Sequence, residues 1–229
     1  MSNVKVNGNA YNDITSVRLP LADGSGYAVY EEGQSAEDSA LLNKILSGSE
    51  CGDLISDNVV ELNNSALSYC TFGVVSLPNA VKFNGLSCYN LTAADVLLPN
   101  ILTSNKGAAT FSGANISGTL DLRKYCRDHT YGTIPWLQNF LWNCTIGTVR
   151  IDSLNGYRST AFNGSTITNL VWGGADLTAA DITADLNGAK AITNLYITDA
   201  IYNDVAALIG DGTITKVTNL YRYSEWGGE

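Results

Sequence analysis

Eight short stretches of this chain share one arrangement, an apolar pair two residues apart inside a β-compatible run. They are VVEL (59–62), VVSL (74–77), DVLL (95–98), TLDL (119–122), TVRI (148–151), NLVW (169–172), NLYI (194–197) and NLYR (219–222). Residues two apart lie on one side of a strand, so each stretch can bury one side only, and a series of such strands is satisfied by stacking. The anchors Val60, Val75, Val96, Leu120, Val149, Leu170, Leu195 and Leu220 recur at irregular intervals within the range of coil-per-repeat proteins. In the last three units the triplet Thr-Asn-Leu recurs in phase, ending at Leu170, Leu195 and Leu220, and Arg222 breaks the apolar pair in the final one. The expected architecture is mainly β, an irregular solenoid of about eight coils and roughly 35 to 40 Å long at the usual strand spacing.

Composition agrees. Of 229 residues only 15% are charged, while 45% are hydrophobic and 22 are Gly. The polar surface must therefore come largely from Asn, Ser and Thr, as suits a turn-rich β protein better than a charged helical bundle. The net charge of −9 and pI near 4.5 oppose binding to nucleic-acid phosphates and to anionic lipid. No run approaches the roughly 18 apolar residues of a membrane span, and MSNVKVNGNAY has no export-signal pattern. Neither nucleic acid nor membrane insertion is expected. Cys51, Cys70, Cys88, Cys126 and Cys144 form no CxxC pair, and with His129 as the single histidine they read as buried free thiols.

The chain divides into three parts. Residues 1–34 read as a β module, with Asn7-Gly8 and the 23–26 segment as its turns. Residues 35–50 read as one short capping helix, opened by Ser35 and Asp38 and ended by Gly48, with Leu41, Leu42, Ile45 and Leu46 on one face. Residues 51–229 carry the repeats. The inward column is expected to contain Val60, Leu77, Leu98, Leu122, Ile151 and Leu170.

Catalytic chemistry finds little purchase. His129 is the only histidine base and no nucleophile-elbow serine accompanies it. Asp121 and Asp152 read as residues alternating outward beside strand anchors. Gly-containing pairs precede strands instead of opening helices, and Asp204 to Asp211 lacks calcium-loop spacing and reads as turns. No enzyme activity, cofactor or metal is expected. The long interval between Leu120 and Val149 is rich in aromatics. Pro135 is placed to open a short helix in which Trp136, Leu137, Phe140 and Leu141 cover the array. Arg127, His129, Tyr131 and Trp136 form the candidate partner-binding patch, since aromatic and Arg side chains supply contact area at low entropic cost. Tyr221, Tyr223 and Trp226 are the candidate cap or homo-oligomer contact at the far end.

Upstream of the strands, units such as FNGLSCYNLTAADVLLP from Phe83, FSGANISGTLDL from Phe111, FLWNCTIGTVRI from Phe140, FNGSTITNLVW from Phe162 and LNGAKAITNLYI from Leu186 resemble the BspA-like leucine-rich repeat. Cys70, Cys88 and Cys144 fall near its Cys position, and Pro78 and Pro99 at its closing Pro. The segment ADLTAADITADLNGAKAI (175–192) instead resembles pentapeptide repeats, which would make a square β-helical coil. Residues 4–32 resemble the β segment at the front of phage and prophage tail proteins. Together these resemblances imply a non-enzymatic virion structural protein, a tail or fibre component that contacts other virion proteins and a bacterial surface glycan or protein. The alternative they imply is a bacterial cell-surface adhesin.

Overall fold

The computed structural model describes residues 3–6, 9–12, 16–20, 27–31, 53–56, 61–62, 67–83, 86–101, 103–104, 110–123, 140–151, 161–174 and 177–227. The proposed capping helix at 35–50, Val60, Cys51, Cys126 and the 124–139 segment lie outside them.

Eight parallel strands form the body: β5 (Leu54–Ser56), β7 (Thr71–Ser76), β9 (Thr92–Leu97), β11 (Asn115–Leu122), β12 (Thr145–Ile151), β13 (Thr166–Trp172), β14 (Ala191–Ile197) and β15 (Val217–Arg222). Each is hydrogen-bonded to the strand of the preceding and following coil, in chain order. The hairpin β1 (Asn3–Val6) and β2 (Asn9–Asn12) extends the same sheet, β1 running antiparallel to β5. The amino-terminal residues thus contribute two strands to the main sheet. Among the described residues, β3 (Ser16–Pro20) and β4 (Tyr27–Glu31) pair only with each other.

Register confirms most of the anchor column. Val75, Val96, Leu120, Val149, Leu170, Leu195 and Leu220 are successive Cα partners across the strands. The next partner of Val75 is Leu54, so Leu54, not Val60, begins the column. The expected inward column also merged two. Leu122 and Ile151 continue into Trp172 and Ile197, whereas Leu170 belongs with Val149 and Leu195. All of these are buried apart from Leu220, which is half-buried at the open edge. A third inward column, Phe72, Ala93, Ile116, Ile146, Ile167, Ile192 and Val217, precedes the anchors by three or four residues. Strict alternation cannot turn residues three apart inward, so the backbone departs from a flat strand between them. In β11 an extra residue is accommodated as a bulge between Ile116 and Thr119.

The returns change along the stack. Early coils return through short strands β6 (Glu61–Leu62), β8 (Lys82–Phe83) and β10 (Thr103–Ser104), which make a second parallel sheet. Later coils return through helices α1 (Ala179–Gly188) and α2 (Tyr202–Gly210). These helices correct two readings. Residues 179–188, inside the segment read as pentapeptide repeats, form a helix and not a square coil, and Ile182 and Leu186 sit four apart on one helical face, both buried. Asp204 to Asp211 is mostly helix, with Val205 buried and Leu208 and Ile209 packed against the core, and only its end is a turn. Alanine and the i, i+4 spacing favour helix there over the turn propensity of Asn and Asp.

Before the strands, five turns stack in register at 67–70, 88–91, 111–114, 141–144 and 162–165. Neighbouring turns are joined by paired backbone bonds, for example Leu67 N to Ser87 O (2.7 Å) and Tyr69 N to Tyr89 O (2.9 Å). This alignment corrects the repeat phasing. Cys88 lies opposite Leu67 and Phe111 at the first position of its turn, whereas Cys70 and Cys144 stand at the fourth, and Phe83 lies in β8 instead of in a turn. Phe140 and Leu141 are buried in a turn, not presented by a helix, and Phe140 meets Phe111 edge to face at 5.4 Å.

Candidate functional site

The opposite side of the main sheet carries two columns that the repeat register aligns, partly exposed except at Val171 and at Asp121, which is buried and not turned out to solvent as expected. One runs Asp95, Thr119, Thr148, Asn169, Asn194 and Asn219. Its last three members come from the recurring Thr-Asn-Leu triplet, and their side chains form a ladder. Asn219 Nδ2 donates to Asn194 Oδ1 (2.9 Å), Asn194 Nδ2 to Asn169 Oδ1 (2.8 Å), and Asn169 Nδ2 to the Thr148 hydroxyl (3.2 Å). Identical amides at parallel-strand spacing can each donate one way and accept the other, which is why the triplet is useful only in phase. Asp95 extends the same bookkeeping by accepting the Thr119 backbone N–H (2.7 Å).

The adjacent column runs Leu97, Asp121, Arg150, Val171, Tyr196 and Tyr221. Asp121 is buried, and Arg123 clamps it through Nη2 to Oδ2 (2.9 Å) and Nε to Oδ1 (3.0 Å). A carboxylate held by both oxygens is a structural ion pair instead of a free acid–base group. Its proposed companion Asp152 lies outside the described residues.

At the carboxy-terminal end, β15 runs into a 3-10 turn (Tyr223–Glu225) that folds back over the sheet. Tyr221 stacks on Tyr196 with ring centroids 4.9 Å apart, and Trp226 meets the same Tyr196 edge-on at 4.8 Å. Tyr223 lies against Gly173, where an added Cβ would come within 2.5 Å of the ring. Tyr221, Tyr223 and Trp226 are thus brought together, each half-buried and each engaged within the chain. Nearby, the Arg222 guanidinium sits 4.2 Å above the Tyr202 ring, and Glu225 accepts the Arg222 backbone N–H (2.7 Å). The contributions of Tyr196, Tyr202 and Arg222 were not singled out from sequence. The equal spacing of the last three units, which aligns Tyr196 with Tyr221, is the signal that could have found the first of them.

Arg127, His129, Tyr131 and Trp136 lie outside the described residues. Cys70, Cys88 and Cys144 are buried free thiols, as expected. Burial, with Cys70 as neighbour, pushes the Cys88 thiol well up. Burial raises Cys144 to about 12 against the opposing effect of hydrogen bonds from the Ala114 backbone and Ser165. Such thiols are protonated and unreactive near neutrality. Among the described residues no group of three or more His, Cys, Asp or Glu side chains is placed to hold a metal, and no helix is long and apolar enough to cross a membrane.

No protein-family model matches this chain, and neither the search of curated proteins nor that of solved structures finds a similar one.

Proposed function

We propose that the chain is a non-enzymatic structural and binding protein, built as a leucine-rich-repeat solenoid of the BspA-like kind and carried on a phage particle as a tail, fibre or other surface component. The observation that carries the repeat reading is the inward spacing shared by successive coils. Phe72, Val75 and Leu77, then Ile146, Val149 and Ile151, then Ile192, Leu195 and Ile197 all follow the apolar-x-x-apolar-x-apolar pattern of that repeat, in continuous register. Pro78 and Pro99 close two of these units, and Asn100 Nδ2 donates to Pro78 O across the two turns (2.6 Å). A stack held by main-chain bonds, an amide ladder and one continuous core is a rigid spacer suited to particle architecture and to display of a surface.

The virion assignment rests on the resemblance of residues 4–32 to phage tail segments, supported by an amino-terminal hairpin that joins the main sheet. Mass spectrometry of density-purified particles released from producing bacteria, run beside the washed cell-surface fraction, tests it. The expected result is recovery with the particles in fixed ratio to the other particle proteins. Recovery only with the cell surface would overturn the virion reading in favour of the adhesin.

A further inference from the structure

The five stacked turns that precede β7, β9, β11, β12 and β13 form a straight rail along the side of the array. Their sequences are LSYC, CYNL, FSGA, LWNC and FNGS, twenty positions without one charged residue in a chain of net charge −9. The first and fourth positions of each turn are buried, as are Ser68 and Ser112 at the second position of two turns, and the other middle positions provide the rail's surface. There the side chains are amides and three aromatic rings, with glycine at two positions.

Two of these rings are hard to explain by folding. The third position of every turn is left-handed, with φ of +60° at Tyr69, +52° at Asn90, +75° at Gly113, +55° at Asn143 and +71° at Gly164. Asn and Gly are the residues that tolerate this region, and a bulky aromatic is an outlier in it. Tyr69 nonetheless occupies it with 60% of its surface exposed, its ring meeting Tyr89 edge to face at 5.4 Å. Trp142 is likewise 41% exposed, on the fourth turn. A strained backbone that holds a large ring open to water points to recognition more than to stability.

We infer that this rail binds an uncharged, linear glycan, with Tyr69, Tyr89 and Trp142 as stacking surfaces and the Asn90 and Asn143 amides as hydroxyl partners. Rings offer flat apolar faces to the C–H face of a pyranose, while the amides offer Nδ2 donors to its hydroxyls, their Oδ1 atoms being packed against Gly113 and Gly164 of the next turn. The flanking column of Thr71, Thr92, Asn115 and Thr145, all exposed, adds further uncharged hydrogen-bonding groups. Tyr69 and Trp142 are three turns apart, about 14 Å at the strand spacing, which a chain of several sugar residues spans and a disaccharide does not. The absence of basic residues from the rail and the acidic balance of the chain disfavour an anionic polysaccharide. The rail is also one turn wide and lacks the broad apolar centre of a protein interface.

The inference deepens the binding role proposed above and names a surface different from the 127–136 segment. Affinity electrophoresis and calorimetry of the purified full chain with cello-, malto-, laminari- and chitohexaose, and with heparin as the anionic probe, test it. At least one neutral hexasaccharide should bind, its disaccharide about tenfold more weakly or worse. Trp142→Ala and Tyr69→Gly should each reduce affinity by about tenfold or more, with unchanged circular dichroism and unfolding midpoint no lower than wild type for Tyr69→Gly. Val81→Ser, an exposed apolar position away from the turns, should bind as wild type. Binding to none of the neutral glycans, binding to heparin alone, or affinity indifferent to both substitutions would overturn the inference. Because the assay uses the isolated chain, it reads independently of whether the protein is recovered in particles.

Discussion

Replacing Gly147 with alanine should be the most damaging single-methyl addition in the described sheet. Gly147 lies in β12, opposite the bulge of β11, and a Cβ built there would stand 2.4 Å from Ser117 O and 2.7 Å from Gly118 O. Both obstacles are backbone carbonyls in the middle of the sheet, so no rotamer change relieves them. The strands must separate or the bulge must be remade, and overpacking of this kind costs about 1–3 kcal/mol. Gly212→Ala is the control. Its φ of +81° imposes the left-handed penalty, about 1–2 kcal/mol, yet nothing lies within 4 Å of the new methyl. Urea titrations followed by circular dichroism and by tryptophan fluorescence compare the two. Gly147→Ala should lower the midpoint with little change in slope, and in Gly147→Ala the β11–β12 amides should lose hydrogen-exchange protection, which Gly212→Ala should leave intact. A Gly147→Ala midpoint indistinguishable from wild type would refute the close approach of β11 and β12 on which the coil register rests.

Leu170→Ala removes a fully buried side chain from between Val149 and Leu195 and should cost about 2–5 kcal/mol in the same titration; an unmoved midpoint would place Leu170 outside the core. Asn194 is the ladder rung bonded on both sides, so Asn194→Ala should destabilise by about 1–3 kcal/mol and Asn219→Ala, which loses one bond at an exposed edge, by about half as much. Equal losses would mean that the second bond of Asn194, to Asn169, adds nothing to stability. Because Cys144 is raised from 9.0 to about 12, both folded and unfolded chains hold its proton below pH 9 and its contribution is complete there. Above pH 9 the unfolded chain releases the proton first, so stability should fall as pH rises towards 12, and Cys144→Ala should flatten that slope. In the Cys51→Ser/Cys126→Ser variant, thiol titration at pH 8 should find Cys70, Cys88 and Cys144 unreactive until denaturant is added; prompt labelling of that native variant would contradict their burial.

Much of the array can be read directly from the chain. Apolar residues two apart, with seven anchors from Val75 to Leu220, dictate strands with one buried face, and a parallel stack is the arrangement in which identical faces meet identical faces. The Thr-Asn-Leu triplets likewise announce that their asparagines share a column, since equal spacing leaves them no other relation. Phasing upstream was less legible. Phe83 and Phe140 look like Phe111 in sequence, yet only main-chain bonding between turns decides which residue faces which, and it pairs Leu141 with Phe111 and Phe162.

What the sequence determined by itself was the repeat, the anchor column from Val75 to Leu220 and the burial of Cys70, Cys88 and Cys144, because these follow from local periodicity and from the cost of exposing apolar groups. Tertiary structure alone decided the path of each return. ADITADL and YNDVAALI carry turn-forming Asn and Asp, but packing against the open side of the coil selects the helical face of Ile182 and Leu186 and of Val205. It also decided the surfaces. Left-handed turns joined by hydrogen bonds bring Tyr69, Tyr89 and Trp142 onto one rail although Tyr69 and Trp142 are 73 positions apart in the chain, a relation that no local window contains.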